Sequence, residues 1–218
     1  MPDKFNSMKS LLKAIPAEGN YEFEICRERQ SVIKLFAPHG GCIEPGTRRI
    51  VQSLASKRWD YFIFRGRRNG NDCYDTLHVT SEGYDEERCV DMANSAILAV
   101  AVHGRGGDDS RIEVGGGSFK LAKDLVEHLR EHGYPAVPAP RSMDGSSPKS
   151  FVNLAREKGI QLELTDGFRN SLFSDYPKRP QPRQKIFDGF IETLRAWLTD
   201  AEKVLDSVSS GSFLRQAP

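Results

Sequence analysis

The sequence predicts an α/β fold, a three-layer α/β/α sandwich with a mixed central sheet between its helical layers. Three features predict it. Short β-branched or aromatic segments alternate with amphipathic helical patterns along the 218 residues, the order expected of a sheet covered by helices. Gly, Pro and Asp stand at the borders of those segments and mark turns. Two of the segments, SVIKLFAP (31–38) and AILAVAV (96–102), are apolar almost throughout, as central strands buried on both faces must be.

In chain order the strands are expected at YEFEIC (21–26), SVIKLFAP (31–38), DYFIFRG (60–66), TLHVTS (76–81), AILAVAV (96–102), RIEVGG (111–116) and GIQLEL (159–164). All are rich in residues that fit a pleated surface. Between them lie the helical patterns GTRRIVQSLASKR (46–58), DEERCVDMANS (85–95), SFKLAKDLVEHLREHG (118–133) with its glycine stop, and QKIFDGFIETLRAWLTDAEKVLDSV (184–208). The stretches PAPRSMDGSSPKS (138–150) and FSDYPKRPQPRQ (173–184) read as surface connections. The length suits a single domain over 1–218, with residues 209–218 expected to form a flexible tail.

A formal charge of +1 excludes a chain-wide field of the kind that coats polyanions. Nucleic acid is therefore not expected as the partner, and a monomer is the expected state. No charged-then-apolar leader and no apolar run of about 20 residues is present, so a cytoplasmic protein without a membrane span is expected. Cys26, Cys42, Cys73 and Cys89 are too widely spaced for a CxxC pair and read as reduced thiols. Arg65, Arg67 and Arg68 sit on one loop as a solvated basic cluster.

The chemistry concentrates at strand ends. SVIKLFAP leads to His39-Gly40 and AILAVAV to His103-Gly104, and ligands of open α/β sheets bind beyond the carboxyl ends of strands. In APHGGCIEPGT (37–47) the glycines let the chain curl until His39 and Glu44 face one centre. With His103 they make two histidines and a glutamate, the composition of a catalytic zinc site with a position left for water. One zinc per chain is expected. In GIQLEL, Ile160, Leu162 and Leu164 share one face, which turns Gln161 and Glu163 to the other. Glu163 is the candidate general base.

The blocks APHGGCIEPGT, DYFIFRG, LHVTS, AVHGRGG, VGGG and GIQLELTDGFR, in that order, closely resemble the poly-γ-glutamate hydrolase family of bacteriophages and bacterial genomes over about residues 20–200. The resemblance implies a zinc-carboxypeptidase-like fold, zinc on His39, Glu44 and His103, Glu163 as catalytic acid/base, and cleavage of γ-amide bonds in an acidic peptide polymer. A polymer with a free carboxylate on each unit calls for guanidinium groups in the cleft. Arg169 is the first candidate for that contact and Arg105 the second, with Asn153 and His78 as further substrate-binding or orienting residues. His128 and His132, beside a helix end, are read as surface residues. Two alternatives stand beside this reading: a zinc amidase acting on a cell-wall peptide or acylated amino acid, and, ranked lower, a phage replication-associated module that binds nucleic acid. Neither the metal spacing nor the resemblance accounts for Cys42.

Overall fold

The computed structural model describes residues 3–68 and 72–213. Its centre is a seven-stranded sheet in the order β1-β3-β2-β4-β7-β5-β6. The strands are β1 (Tyr21–Cys26), β2 (Ile33–Gly41), β3 (Asp60–Gly66), β4 (Leu98–Arg105), β5 (Ile112–Gly115), β6 (Ala136–Pro138) and β7 (Gly159–Thr165). β3, β2, β4 and β7 run parallel, β1 opposes β3 at one edge, and β5 opposes β7 while pairing in parallel with β6. The expected mixed sheet is therefore present. A small hairpin, β8 (Phe173–Ser174) with β9 (Gln181–Pro182), lies apart from it.

Strand alternation divides the interior into two cores. Ile33, Leu35 and Ala37 of β2, Leu98, Val100 and Val102 of β4, and Ile160, Leu162 and Leu164 of β7 pack beneath α2 (Thr47–Ala55), α5 (Phe119–Glu131) and α7 (Gln184–Phe213). Phe36, Ala99 and Ala101, one residue out of phase, pack beneath α1 (Met8–Ala14), α3 (Cys73–Leu77), α4 (Glu87–Asn94) and the 3₁₀ turn Phe151–Leu154. His103, Gln161 and Glu163 follow this second phase. They stand where the apolar residues of that core run out, at the carboxyl ends of the strands.

Several elements differ from expectation. TLHVTS forms no strand: its first residues close α3, and Ser81–Gly83 is a 3₁₀ turn. The polar backbone groups of this segment are satisfied outside any sheet, since the Thr80 N–H donates to Asp3 Oδ2 at 2.8 Å and the Val79 carbonyl lies 2.9 Å from His39 Nε2. β2 continues to Gly41 with a register shift against β3 between Ala37 and Gly40, so His39 stands on an irregular strand end rather than in a free loop. Such a shift re-aims a side chain beside a site. Gly41 has φ +73°, and a Cβ there would meet the Gly66 carbonyl oxygen at 2.1 Å, so only glycine ends the strand this way. The tail expected from residue 209 begins inside α7, which runs to Phe213, and residues 214–218 lie outside the described residues.

The expectation of four reduced thiols fails for two of them. Cys42 and Cys73 form a disulfide with Cα atoms 5.8 Å apart, while Cys26 and Cys89 are free. The partners are 31 residues apart in sequence and meet only because α3 returns to the end of β2. Among the described residues no helix is long and apolar enough to cross a membrane.

Candidate active site

The carboxyl ends of β2, β4 and β7 open into a cleft of about 820 Å³ whose walls include His39, Glu44, His78, His103, Arg105, Glu163 and Arg169. His39 Nε2 faces the Val79 carbonyl at 2.9 Å, so that nitrogen carries hydrogen and Nδ1 looks inward. Nδ1 lies 2.9 Å from Glu44 Oε1 and 3.2 Å from His103 Nδ1. The other Glu44 oxygen accepts the Gly104 N–H at 2.7 Å and lies 3.9 Å from His103 Nδ1. The turn after β2 thus delivers its carboxylate to the end of β4, as the glycine-rich spacing implied.

All three groups are buried. Burial opposes a charge on His39, yet the Glu44 carboxylate outweighs it and raises the imidazole pKa. Burial would likewise raise Glu44, but the charge and hydrogen bond of His39 hold it at about 2. His103, desolvated first of all, is pushed down to about 3 and keeps a bare nitrogen. Its Nε2 has no hydrogen-bond partner among the described residues.

His78 sits closer to this centre than an orienting role required. Its ring centre is 4.2 Å from that of His39, its Nδ1 lies 2.7 Å from Asp3 Oδ1, and its Nε2 is 3.9 Å from Glu44 Oε1. Ligand-capable atoms of His39, Glu44 and His78 all fall within 4.8 Å of one another. A carboxylate behind one ring nitrogen leaves the other aimed forward, the usual support of a metal-facing histidine. Tyr74 stacks on the outer face of His78 at 4.4 Å.

Glu163 stands beside His103 in the β4–β7 register and opposite Glu113 of β5. Burial first, then the negative charges of Glu44 and Glu113, raise its pKa well above the carboxylate range. Gln161 Nε2 donates to its Oε1 at 3.1 Å. A carboxyl group with raised proton affinity at the end of a cleft has the property that general acid/base work requires.

Arg105 reaches the cleft while ion-paired with Glu113. Arg169 is buried and largely engaged: its guanidinium donates to the carbonyls of Pro45 at 3.1 Å and Arg105 at 3.2 Å, and to Asp166 Oδ1 at 2.7 Å. Asn153 does not line the cleft. Its amide oxygen accepts from the Gly117 and Gly159 N–H groups at 2.9 and 3.2 Å, and its amide nitrogen donates to the Gly145 and Ser147 carbonyls at 2.8 and 2.7 Å. Those four bonds use its capacity and correct the expectation of a substrate contact: Asn153 braces the segment 145–147. The basic loop is ion-paired, Arg65 and Arg67 with Glu22 and Arg68 with Asp72. His132 is exposed and bonds to the His128 carbonyl at 2.8 Å, whereas His128 is half-buried and bonds to the Thr193 carbonyl of α7 at 3.1 Å, so the surface reading holds for His132 alone.

A family model described as poly-gamma-glutamate hydrolase matches residues 5–193. The chain belongs to the poly-gamma-glutamate hydrolase family. It is accordingly a hydrolase. UPF0714 protein YndL of Bacillus subtilis (strain 168) is 33% identical over 184 residues, covering 81% of this chain and 71% of YndL. YmaC of the same organism is 26% identical over 202 residues, covering 90% of this chain and 84% of its own. Among solved structures, a bacteriophage poly-gamma-glutamate hydrolase superposes with a TM-score of 0.84 and 27% identity, covering 93% of this chain and all (100%) of that one. The zinc-free apo form of YndL gives 0.81 and 31% identity, covering 92% and 99%. The carboxypeptidase-like α/β fold implied by the sequence blocks is thereby established for this family member.

Gln161, Glu113, Tyr74, Asp3 and Ser150 around the cleft were not singled out as site residues from sequence. Gln161 alone carried a local signal, since it shares the polar face of β7 with Glu163.

Proposed function

We propose that this hydrolase cleaves γ-glutamyl amide bonds of an acidic peptide chain with the help of one zinc ion held by His39, Glu44 and His103. The observation that carries the reading is the convergence of His39 Nδ1, His103 Nδ1 and the Glu44 carboxylate within 3.9 Å at the foot of the cleft that also holds Glu163. Two facing imidazole nitrogens and a carboxylate, with one histidine nitrogen anchored on a carbonyl behind, form a donor set that fits a borderline-soft dication. His78, backed by Asp3, adjoins the set and orients it. When bound, zinc supplies Lewis acidity, polarising the scissile carbonyl and acidifying water.

The chain's own residues supply the rest. Glu163 takes a proton from the attacking water and delivers it to the leaving amide nitrogen, which its raised proton affinity suits. Gln161 holds one Glu163 oxygen in place. Arg105, partly exposed to the cleft, offers its guanidinium to a carboxylate of the chain being cut. The family match and the superposition on the bacteriophage hydrolase support the γ-glutamyl substrate.

The test is chromatographic sizing of poly-γ-glutamate treated with wild-type protein, with Glu163→Gln, and with chelated and zinc-restored protein. Wild type is expected to shorten the polymer, chelation to stop it, zinc to restore it, and Glu163→Gln to lower the rate by about 10² to 10⁴ while keeping its metal. Metal content of His103→Ala against His78→Ala checks the ligand set: the first is expected to lose zinc and the second to bind it more weakly. Intact polymer together with cleavage of a cell-wall peptide would shift the assignment to the alternative amidase.

A further inference from the structure

We propose that Ser150 and Gln161 form a substrate subsite beside Glu163, which receives the residue adjoining the scissile amide; this rests on the γ-glutamyl reading above. Both residues line the cleft and both are more than nine-tenths buried, at 1% and 6% exposure. Yet Ser150 Oγ and Gln161 Oε1 have no hydrogen-bond partner among the described residues. A buried polar atom left in this way is a cost to the fold that an apolar residue would avoid. Two such atoms on one cleft wall point to a ligand that satisfies them.

With Glu163 ionised, as a general base must be, its Oε1 accepts a hydrogen from Gln161 Nε2 at 3.1 Å, and the amide oxygen is then the free end. Gly145 lies against that amide: its φ is +63°, and a Cβ there would meet the Gln161 side chain at 2.4 Å. Asn153 in turn holds the Gly145 and Ser147 carbonyls, so the wall carrying Ser150 is braced rather than loose.

The chemistry of the two atoms defines what fits. Gln161 Oε1 is an acceptor and takes an amide N–H. The Ser150 hydroxyl donates to a carbonyl or carboxylate oxygen. Arg141, exposed on the same wall, adds positive charge at the rim. Together they suit an amide chain bearing free carboxylates, and they place it so that the bond to be cut lies against Glu163.

Binding separates this subsite from the chemistry. A γ-linked glutamate oligomer is titrated calorimetrically into Glu163→Gln protein and into the same protein carrying Ser150→Ala. Loss of one satisfied hydrogen bond is expected to weaken binding about fivefold to tenfold, while the unfolding temperature of Ser150→Ala stays level or rises. Gln161→Leu in the same background is expected to weaken binding as well. Equal affinity with and without the Ser150 hydroxyl, or a lower unfolding temperature showing that the hydroxyl is bonded within the free protein, would overturn the subsite and leave the γ-glutamyl reading standing. Failure of both proteins to bind the oligomer would overturn both.

Discussion

His39 and His103 present their Nδ1 atoms to each other at 3.2 Å, with the Glu44 carboxylate alongside both. Two imidazole nitrogens at that separation hold a proton, or a metal ion, between them. Without metal it is the proton that Glu44 holds on His39, which is why that pKa is raised, while His103, pushed down to about 3, stays neutral. Zinc bound as proposed would have to displace the His39 proton. Calorimetric zinc titrations in buffers of different ionisation enthalpy are expected to show about one proton released per metal below the His39 pKa, fading above it. Apparent affinity should fall as the pH is lowered through the same range. Release of no proton at any pH would separate the pair from metal binding.

Glu113 is buried directly opposite Glu163 in the β5–β7 register, and its charge is one of the causes that raise the Glu163 pKa, after burial and Glu44. Glu113→Gln removes that repulsion and frees Arg105 from its ion pair. Both changes favour ionised Glu163 and lower its pKa. A general base works when deprotonated, so the acidic limb of the pH profile of kcat/KM is expected to move to lower pH in Glu113→Gln. A limb that stays put, or moves up, would mean that Glu163 does not set it.

The site was legible where local pattern carries it. The alternation of Ile160, Leu162 and Leu164 turned Glu163 to the right face, and the glycines between His39 and Glu44 announced a turn that brings them together. What was not legible depends on distant backbone. TLHVTS has strand composition, but the hydrogen bonds it would need are taken up by Asp3 and His39. Asn153 looks like a polar residue poised for ligand, and only the fold shows its amide spent on four backbone groups. The carboxylate behind His78 comes from residue 3, 75 positions away.

The Cys42–Cys73 bond closes a loop of 31 residues between the strand end that carries the site and the helix that leads to His78. Restricting the unfolded chain over such a loop is worth about 4 kcal/mol. Reduction with a phosphine, or Cys73→Ser, is therefore expected to lower the unfolding temperature by roughly 8–16 °C. A dithiol is avoided because it competes for zinc. An unchanged unfolding temperature in a protein whose thiols are shown to be free would remove the disulfide from the stability of the fold.

Arg169, only 3% exposed, joins the two pieces of backbone that carry Glu44 and His103. Its guanidinium donates to the carbonyl of Pro45, next to Glu44, and to the carbonyl of Arg105, two residues after His103. The planar fork can reach both at once and still hold Asp166, whereas an ammonium is a single point. Arg169→Lys is therefore expected to cost about 2–3 kcal/mol of stability and, by loosening Glu44 against His103, to weaken zinc binding about tenfold. A residue whose task is to grip a substrate carboxylate would behave otherwise. Its replacement would raise KM for the oligomer and leave unfolding temperature and zinc affinity unchanged, so measuring all three on one variant decides between brace and receptor.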